Sequence, residues 1–330
     1  VEVDIISGIN QFLTEKASFS YIPVSSCIII GLVISYYQVS KRIRPQPETD
    51  NGGINTSAKP KLIIEAGRTE RQYWNDLWRY RELFYFLAWR DILVRYKQTV
   101  IGVAWALLRP LLTMIVFSVI FGKLAKLPSN GVPYPILVFS AMLPWQFFAN
   151  ALSECSNSLI SNANLVSKVY FPRLIVPTSA VVVSFIDFLI SSSILVALMI
   201  WYQFVPTLGM LMLPFLILLA FAAALGGGLW FAALNIKYRD FRYIVPFVVQ
   251  FGLYVSPVGF SSDIVPEQWR LLYSLNPMVG VIDGFRWAIL GQNTVIYWPG
   301  FLMSVGIVIF LLASGIWYFR KTERTFADII

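Results

Sequence analysis

Between Trp105 and Phe319 the chain is a succession of long apolar stretches, and its charges are confined almost entirely to the short connections between them. A soluble domain cannot expose so many apolar runs to water, whereas a bilayer requires them. Of the 330 residues 57% are hydrophobic and only 13% are charged, where a typical soluble domain carries about 25% charged residues. A single buried core cannot absorb that imbalance. The net charge of +8 therefore reads as basic loops beside a membrane. It does not read as a nucleic-acid surface, since no aromatic-basic RNA-binding module accompanies it. The expected fold class is an all-α integral membrane protein.

Six spans can be drawn, at about 102–122, 133–153, 174–202, 208–235, 244–260 and 294–319. The first contains Arg109 as its only charge and the third contains Asp187. Most reach the roughly 17–25 residues that cross a hydrocarbon core; the fifth is short, and the third and fourth exceed that length. Lys168, Arg173, Lys237, Arg239, Arg242, Arg320, Lys321 and Arg324 fall in one set of connections, and Lys123, Lys126, Arg270 and Arg286 in the other. The basic excess places both ends of the six-span body in the cytoplasm. On the outer side, Ser261–Asn293 is divided by Pro277 into two short charged helical candidates. They read as re-entrant or interfacial helices, a form tolerated only where protein or a water-filled cavity shelters the backbone.

Ahead of the spans, Trp74–Tyr96 has helical periodicity. Trp74, Leu77, Trp78, Phe84, Tyr85, Ala88, Trp89, Ile92 and Tyr96 share one arc, while Arg79, Glu82, Arg90 and Lys97 lie outside it. Arg81 and Arg95 fall inside the arc and must snorkel. Such a basic, aromatic-rich amphipathic helix fits the cytoplasmic membrane interface. The organisation expected is an extension over 1–60 with an extra apolar run at Tyr21–Val39, an interface region over 61–101, and a transmembrane domain over 102–330.

The chemistry available is limited. Histidine is absent, which removes the commonest general base and metal ligand. Cys27 and Cys155 have no partner at metal spacing and read as inert apolar residues. Gly226-Gly227-Gly228 is followed by Leu229-Trp230, so it is no phosphate-binding loop and points to close helix approach. Asp187 is either a proton or ion site, or it pairs with Arg109, or it bonds local serines such as Ser184 and Ser191. Trp105 and Trp230 either line an internal path or anchor the chain in lipid.

Two connections hold more than topology needs. Ser156–Arg173 can form a short amphipathic helix with Leu159, Ala163, Val166 and Tyr170 on one face, a basic end at Lys168 and Arg173, and a stop at Pro172. Asn235–Tyr243 sets Arg239, Asp240 and Arg242 among aromatics, where ion pairs between them would hold two spans together.

These segments carry a resemblance. WRYRELFYFLAWRDILVRYKQTVIGVAWALLRPLL at Trp78–Leu112, KVYFPR at Lys168–Arg173, NIKYRDFRYIVPF at Asn235–Phe247, SLNPM at Ser274–Met278 and GFRWAILG at Gly284–Gly291 are similar to the permease subunits of the ABC-2 type polysaccharide exporters. That family handles O-antigen, capsular and teichoic-acid polymers. The resemblance begins near Lys61 and implies a homodimeric, non-enzymatic half-transporter in the bacterial inner membrane. No cofactor is expected in this chain; ATP and magnesium would sit on a separate ABC ATP-binding subunit. The substrate would be a lipid-linked polysaccharide. Asn164, Lys168, Tyr170, Phe171, Pro172 and Arg173 would form the coupling contact with the ATPase, and Arg239, Asp240 and Arg242 the second cytoplasmic loop. Trp78, Tyr85, Trp89 and Arg90 would mark the interface helix among membrane lipids. Asn276, Pro277, Met278 and Arg286 would form an outer gate, and Trp105, Trp230 and Tyr254 would line a channel. The alternatives are an ABC-2 drug or lipid efflux permease, or a membrane-embedded glycosyltransferase or acyltransferase. The latter lacks a visible acidic metal pair or catalytic histidine.

Overall fold

The computed structural model describes residues 70–97, 102–129, 131–205, 207–291, 294 and 296–326. The 1–60 extension and its apolar run at Tyr21–Val39 lie outside the described residues. Among those described, the regular structure is helical throughout: α1 (Glu70–Arg79), α2 (Arg81–Lys97), α3 (Gly102–Phe117), α4 (Tyr134–Ser161), α5 (Ala163–Lys168), α6 (Ile175–Trp201), α7 (Leu213–Lys237), α8 (Phe241–Val255), α9 (Glu267–Tyr273), α10 (Pro277–Leu290) and α11 (Trp298–Thr322). Proline marks several starts. It stands in the first turn of α4, α7, α10 and α11, where its missing N–H has no intrahelical acceptor to lose.

Among the described residues, five segments are long and apolar enough to cross a membrane: Ala104–Leu124, Tyr134–Ser161, Ile175–Trp201, Leu208–Lys237 and Trp298–Thr325. The first joins α3 to a π-helical turn over Ser118–Leu124. The fifth predicted span, 244–260, corresponds to a shorter helix and the segment after it. Its helix α8 has 15 residues, about 22 Å at 1.5 Å per residue, against a core of roughly 30 Å. Pro257 sets the limit, because a residue before proline is driven out of the helical region; Ser256 accordingly has φ −83° and ψ 151°. The chain then runs as irregular backbone through buried Val258.

The predicted single helix Trp74–Tyr96 is two, α1 and α2, interrupted at Tyr80. Hydrogen bonding continues across the break, since Tyr80 N–H reaches Asp76 O at 2.9 Å and Phe84 N–H reaches Tyr80 O at 3.2 Å. The buried stripe also differs from the predicted arc. Leu87 is almost fully buried, with Tyr73, Leu77, Tyr80, Leu83 and Phe84 packed on the same cluster. Trp74, Trp78, Tyr85 and Phe86 remain exposed. The pair is therefore apolar on two sides, one facing the protein and one facing outward.

The main core lies between α4, α6, α7 and α10. Phe147 packs on Phe185 and Phe188 at ring separations of 6.0 and 5.5 Å, and Phe188 meets Phe285 of α10 edge-on at 6.3 Å. The glycine run brings α7 against α11. A Cβ at Gly226 would lie 2.7 Å from the backbone N and Cα of Leu312. Close approach, the sequence reading of this triplet, is what the packing shows.

Candidate functional site

The ends of α4, α7 and α11, the start of α6, and α2 share a second buried cluster that includes Leu159, Val166, Phe171, Leu174, Ile236, Phe319 and Phe326. It gathers the basic connections at one end of the helical body. The short helix α5 stands here, with Val166 turned into the cluster and Asn164, Lys168, Val169 and Tyr170 exposed. Phe171 and Pro172 are buried. Arg173 is half-buried, its backbone N–H donating to the Glu323 carboxylate at 2.8 Å and its guanidinium donating to the Glu323 carbonyl. The six predicted contact residues thus divide. Asn164, Lys168 and Tyr170 face outward, whereas Phe171, Pro172 and Arg173 fix the loop from beneath. Tyr170 lies beyond the end of α5, so the predicted face of Leu159, Ala163, Val166 and Tyr170 loses its last member.

Arg239, Asp240 and Arg242 stand exposed at the turn between α7 and α8. No ion pair joins them among the described residues. The connection is so short that they occupy the turn itself, and α7 is held to α4 by another group. Asn235 Nδ2 donates to Ser156 O and to Asn157 Oδ1, both at 3.1 Å.

Asp187 finds a partner that none of the open sequence readings named. It accepts from Arg95 and from the Tyr96 hydroxyl, both on α2, and Arg95 also pairs with Glu154 on α4. Arg109 stays exposed on α3. Arg90, five residues before Arg95, donates to Asn162 Oδ1 at 2.8 Å. Asn162 lies eight residues beyond Glu154, about 12 Å further along the helix axis. The second half of α2 therefore climbs beside α4 and α6 and does not lie flat. Burial acts to lower the Arg95 guanidinium, but the Asp187 and Glu154 carboxylates outweigh it and raise it. The Tyr96 phenol is raised by burial and then by Asp187. A cavity of about 470 Å³ opens beside this cluster, lined by Arg90, Asp91, Arg95, Glu154, Ser158 and Asn162. The signal available in the sequence was a pair of matching anomalies, a cation inside an apolar arc and an acid inside an apolar span.

At the opposite end, α9 and α10 meet at Asn276. Its side chain caps α10 by accepting from Met278 N–H at 3.0 Å, and its amide donates to Ser256 Oγ at 2.9 Å. Pro277 is the first residue of α10, and Met278 is fully buried. Arg286 is 2% exposed and donates to the carbonyls of Phe260 at 2.6 Å, Val258 at 3.0 Å and Leu137 at 3.4 Å. It thereby pins the irregular segment after α8 onto α4 and α10. All four predicted outer residues belong to this junction.

Asp283, one turn before Arg286 and outside the five long spans, is raised by burial to about 6; Arg286 and a hydrogen bond from Ser262 oppose the shift. A carboxyl raised in the fold contributes stability below its unfolded value that is lost as pH rises through the folded one. Replacement by Asn should therefore raise the unfolding temperature of the purified protein at pH 7 and leave it little changed at pH 4. A drop at pH 7 would contradict this assignment.

The predicted path-lining residues separate. Trp105 and Tyr254 are 62% and 64% exposed. Trp230 instead stacks on Tyr318 at 4.1 Å and donates its indole N–H to Ser314 Oγ at 3.1 Å. One face of its ring is thus taken up in joining α7 to α11.

The arrangement defines a multi-pass helical membrane protein with one elaborated basic end and no internal phosphate-binding loop in its sequence. The chain matches the ABC-2 type transporter family over residues 82–290, well over half its length, and belongs to it. It is 26% identical over 250 residues to the O-antigen export system permease protein RfbA of Klebsiella pneumoniae, covering 76% of this chain and 95% of that one. The protein of the same name from Myxococcus xanthus is 28% identical over 258 residues, covering 77% and 98%. The polysialic acid transport protein KpsM of Escherichia coli is 21% identical over 229 residues, covering 68% and 84%.

Proposed function

We propose that this chain is the membrane subunit of an ABC exporter that moves a lipid-linked polysaccharide out across the bacterial inner membrane. The observation that carries the reading is the match to O-antigen export permeases along 95–98% of their own length. The energy source is a separate ATP-binding subunit docked at the basic end, which is cytoplasmic by the excess of Lys and Arg there. Asn164, Lys168 and Tyr170 on the loop around α5, with Arg239, Asp240 and Arg242 at the second turn, supply its contact. ATP and magnesium belong to that subunit.

Two copies pair to enclose the path. The uncovered apolar sides of α3 and α8, with Trp105 and Tyr254 among them, are the surface that such pairing and the lipid share. In this reading α8 and the buried segment after it complete a sixth crossing, and α9–α10 close the outer mouth. Exposed Trp74, Trp78, Tyr85 and Phe86, with Arg81 5.7 Å from the Trp78 ring, seat α1 and the start of α2 in the headgroup region. Trp89 and Arg90 lie where α2 begins its climb.

The test is loss of surface polymer on deletion of the gene, restored by the unsubstituted chain and not by Lys168→Glu. Restoration by Lys168→Glu, with the ATP-binding subunit still bound, would overturn the docking assignment. Unchanged surface polymer in the deletion strain would overturn the substrate class.

A further inference from the structure

The partner-facing loop is anchored by a residue far away in sequence. Helix α6 begins after Leu174, which gives it no side-chain cap. An acid at this position would satisfy a free backbone donor and favour the positive end of the helix dipole. Glu323, at the end of α11, supplies it. Its carboxylate takes the Arg173 N–H at 2.8 Å, while the Arg173 guanidinium returns a bond to the Glu323 carbonyl. Phe319 and Phe326 flank the clasp, with ring centroids 5.3 Å apart, and are buried in the cluster that also holds Phe171. One turn before Glu323, Arg320 lies 4.5 Å from the ring of Tyr73 on α1. Burial and the Glu323 carboxylate both push that phenol up.

Three segments meet here: the end of the partner-facing loop, the end of the last long helix, and α1. The loop from Asn164 to Tyr170, exposed except where Leu165 and Val166 meet the cluster, runs between the end of α4 and this clasp. With both ends fixed, force applied to the loop reaches α6 and α11. With one end free, the loop swings and absorbs it.

We propose that Glu323 is a positioning residue that holds the partner-facing loop and joins its movement to α11 and α1. The proposal rests on the reading of that loop as the ATPase contact. The decisive variants are Glu323→Ala, which removes the acceptor, and Glu323→Gln, which keeps an acceptor oxygen without the charge. They are compared in the complex purified through a tag on this chain and in cells producing it. Polymer exported per ATP hydrolysed is expected to fall about tenfold in Glu323→Ala, the scale of one charge-assisted hydrogen bond. Glu323→Gln should stay within about twofold of the unsubstituted protein, because the backbone donor keeps its partner. Membrane levels and recovery of the ATP-binding subunit should match in both. Equal export per ATP in the two variants, at whatever level, overturns the proposal. Lys168→Glu separates the two readings. Unchanged export with Lys168→Glu removes the loop contact and the proposal with it. Lost export with Lys168→Glu, alongside equal Glu323 variants, leaves the contact standing and removes only the clasp.

Discussion

Arg95→Met is expected to destabilise the permease by about 3 kcal/mol, because it leaves two carboxylates facing each other without their cation. Asp187 and Glu154 both pair with Arg95, and the Asp187 side chain retains only 17% of its exposure. Asp187 lies 12 residues along α6 from Ile175, so about 18 Å of helix separates it from the basic end. An acid within a span that loses its cation is costly. The second variant is Arg95→Met with Asp187→Leu, which removes the cation and its deeper partner together. It should recover much of the loss, so the two costs will be far from additive. Unfolding of the purified protein in lipid nanodiscs measures both. Additive costs, or an Arg95→Met protein as stable as the unsubstituted one, would show that the network does not hold α2 in place.

Gly226→Leu should have a larger effect still, through backbone sterics. Even a single methyl carbon at this position meets Leu312 N and Cα at 2.7 Å. A side-chain tip can swing aside, but a helix backbone moves only by separating α7 from α11. Separation would also undo the stack of Trp230 on Tyr318 and the indole bond to Ser314. The expected cost is at least about 3 kcal/mol, at the upper end of overpacking effects. It should be seen as loss of the monodisperse species on solubilisation. Gly306→Leu on α11 is the control, since a Cβ there has no atom within 4 Å. Equal behaviour of the two variants would count against a close α7–α11 contact.

The long spans were legible because their signal is composition sustained over twenty or more residues. Most of their boundaries were legible to within a few residues; the second span ends at 153 by sequence, before Glu154, whereas α4 continues to Ser161. The α8 region shows where that signal ends: Ile244–Phe260 is uncharged throughout, yet one Ser-Pro step divides it into a helix and an irregular segment. Composition does not register that difference, whereas backbone sterics do.

The basic end was legible in its exposed residues and not in its buried ones. Lys168 and Asn164 face outward as the loop's amphipathic pattern implied. Phe171 was grouped with them by the family resemblance, but its ring fits a cluster assembled from α2, α6, α7 and α11. Arg286 likewise looked like an outer charge and is a fully buried donor to three carbonyls. Tertiary partners decide such cases, and a single sequence does not state them. Glu323 carried no signal at all, since an acid beside several cations near a span end reads as an ordinary solvated loop.

The clasp between Arg173 and Glu323 also has a consequence for biogenesis. The two residues are 150 positions apart. At about 5–20 residues per second the ribosome needs roughly 8–30 s after Arg173 to produce Glu323. During that interval α4 and α5 already exist and α6 soon follows, but the loop between them has no acid to fasten it and Phe171 lacks Phe319 and Phe326 of its cluster. The surface on which an ATPase would dock is thus among the last parts of the molecule to mature. If the ATP-binding subunit docks here as proposed, order of synthesis alone would delay its recruitment until α11 has been made.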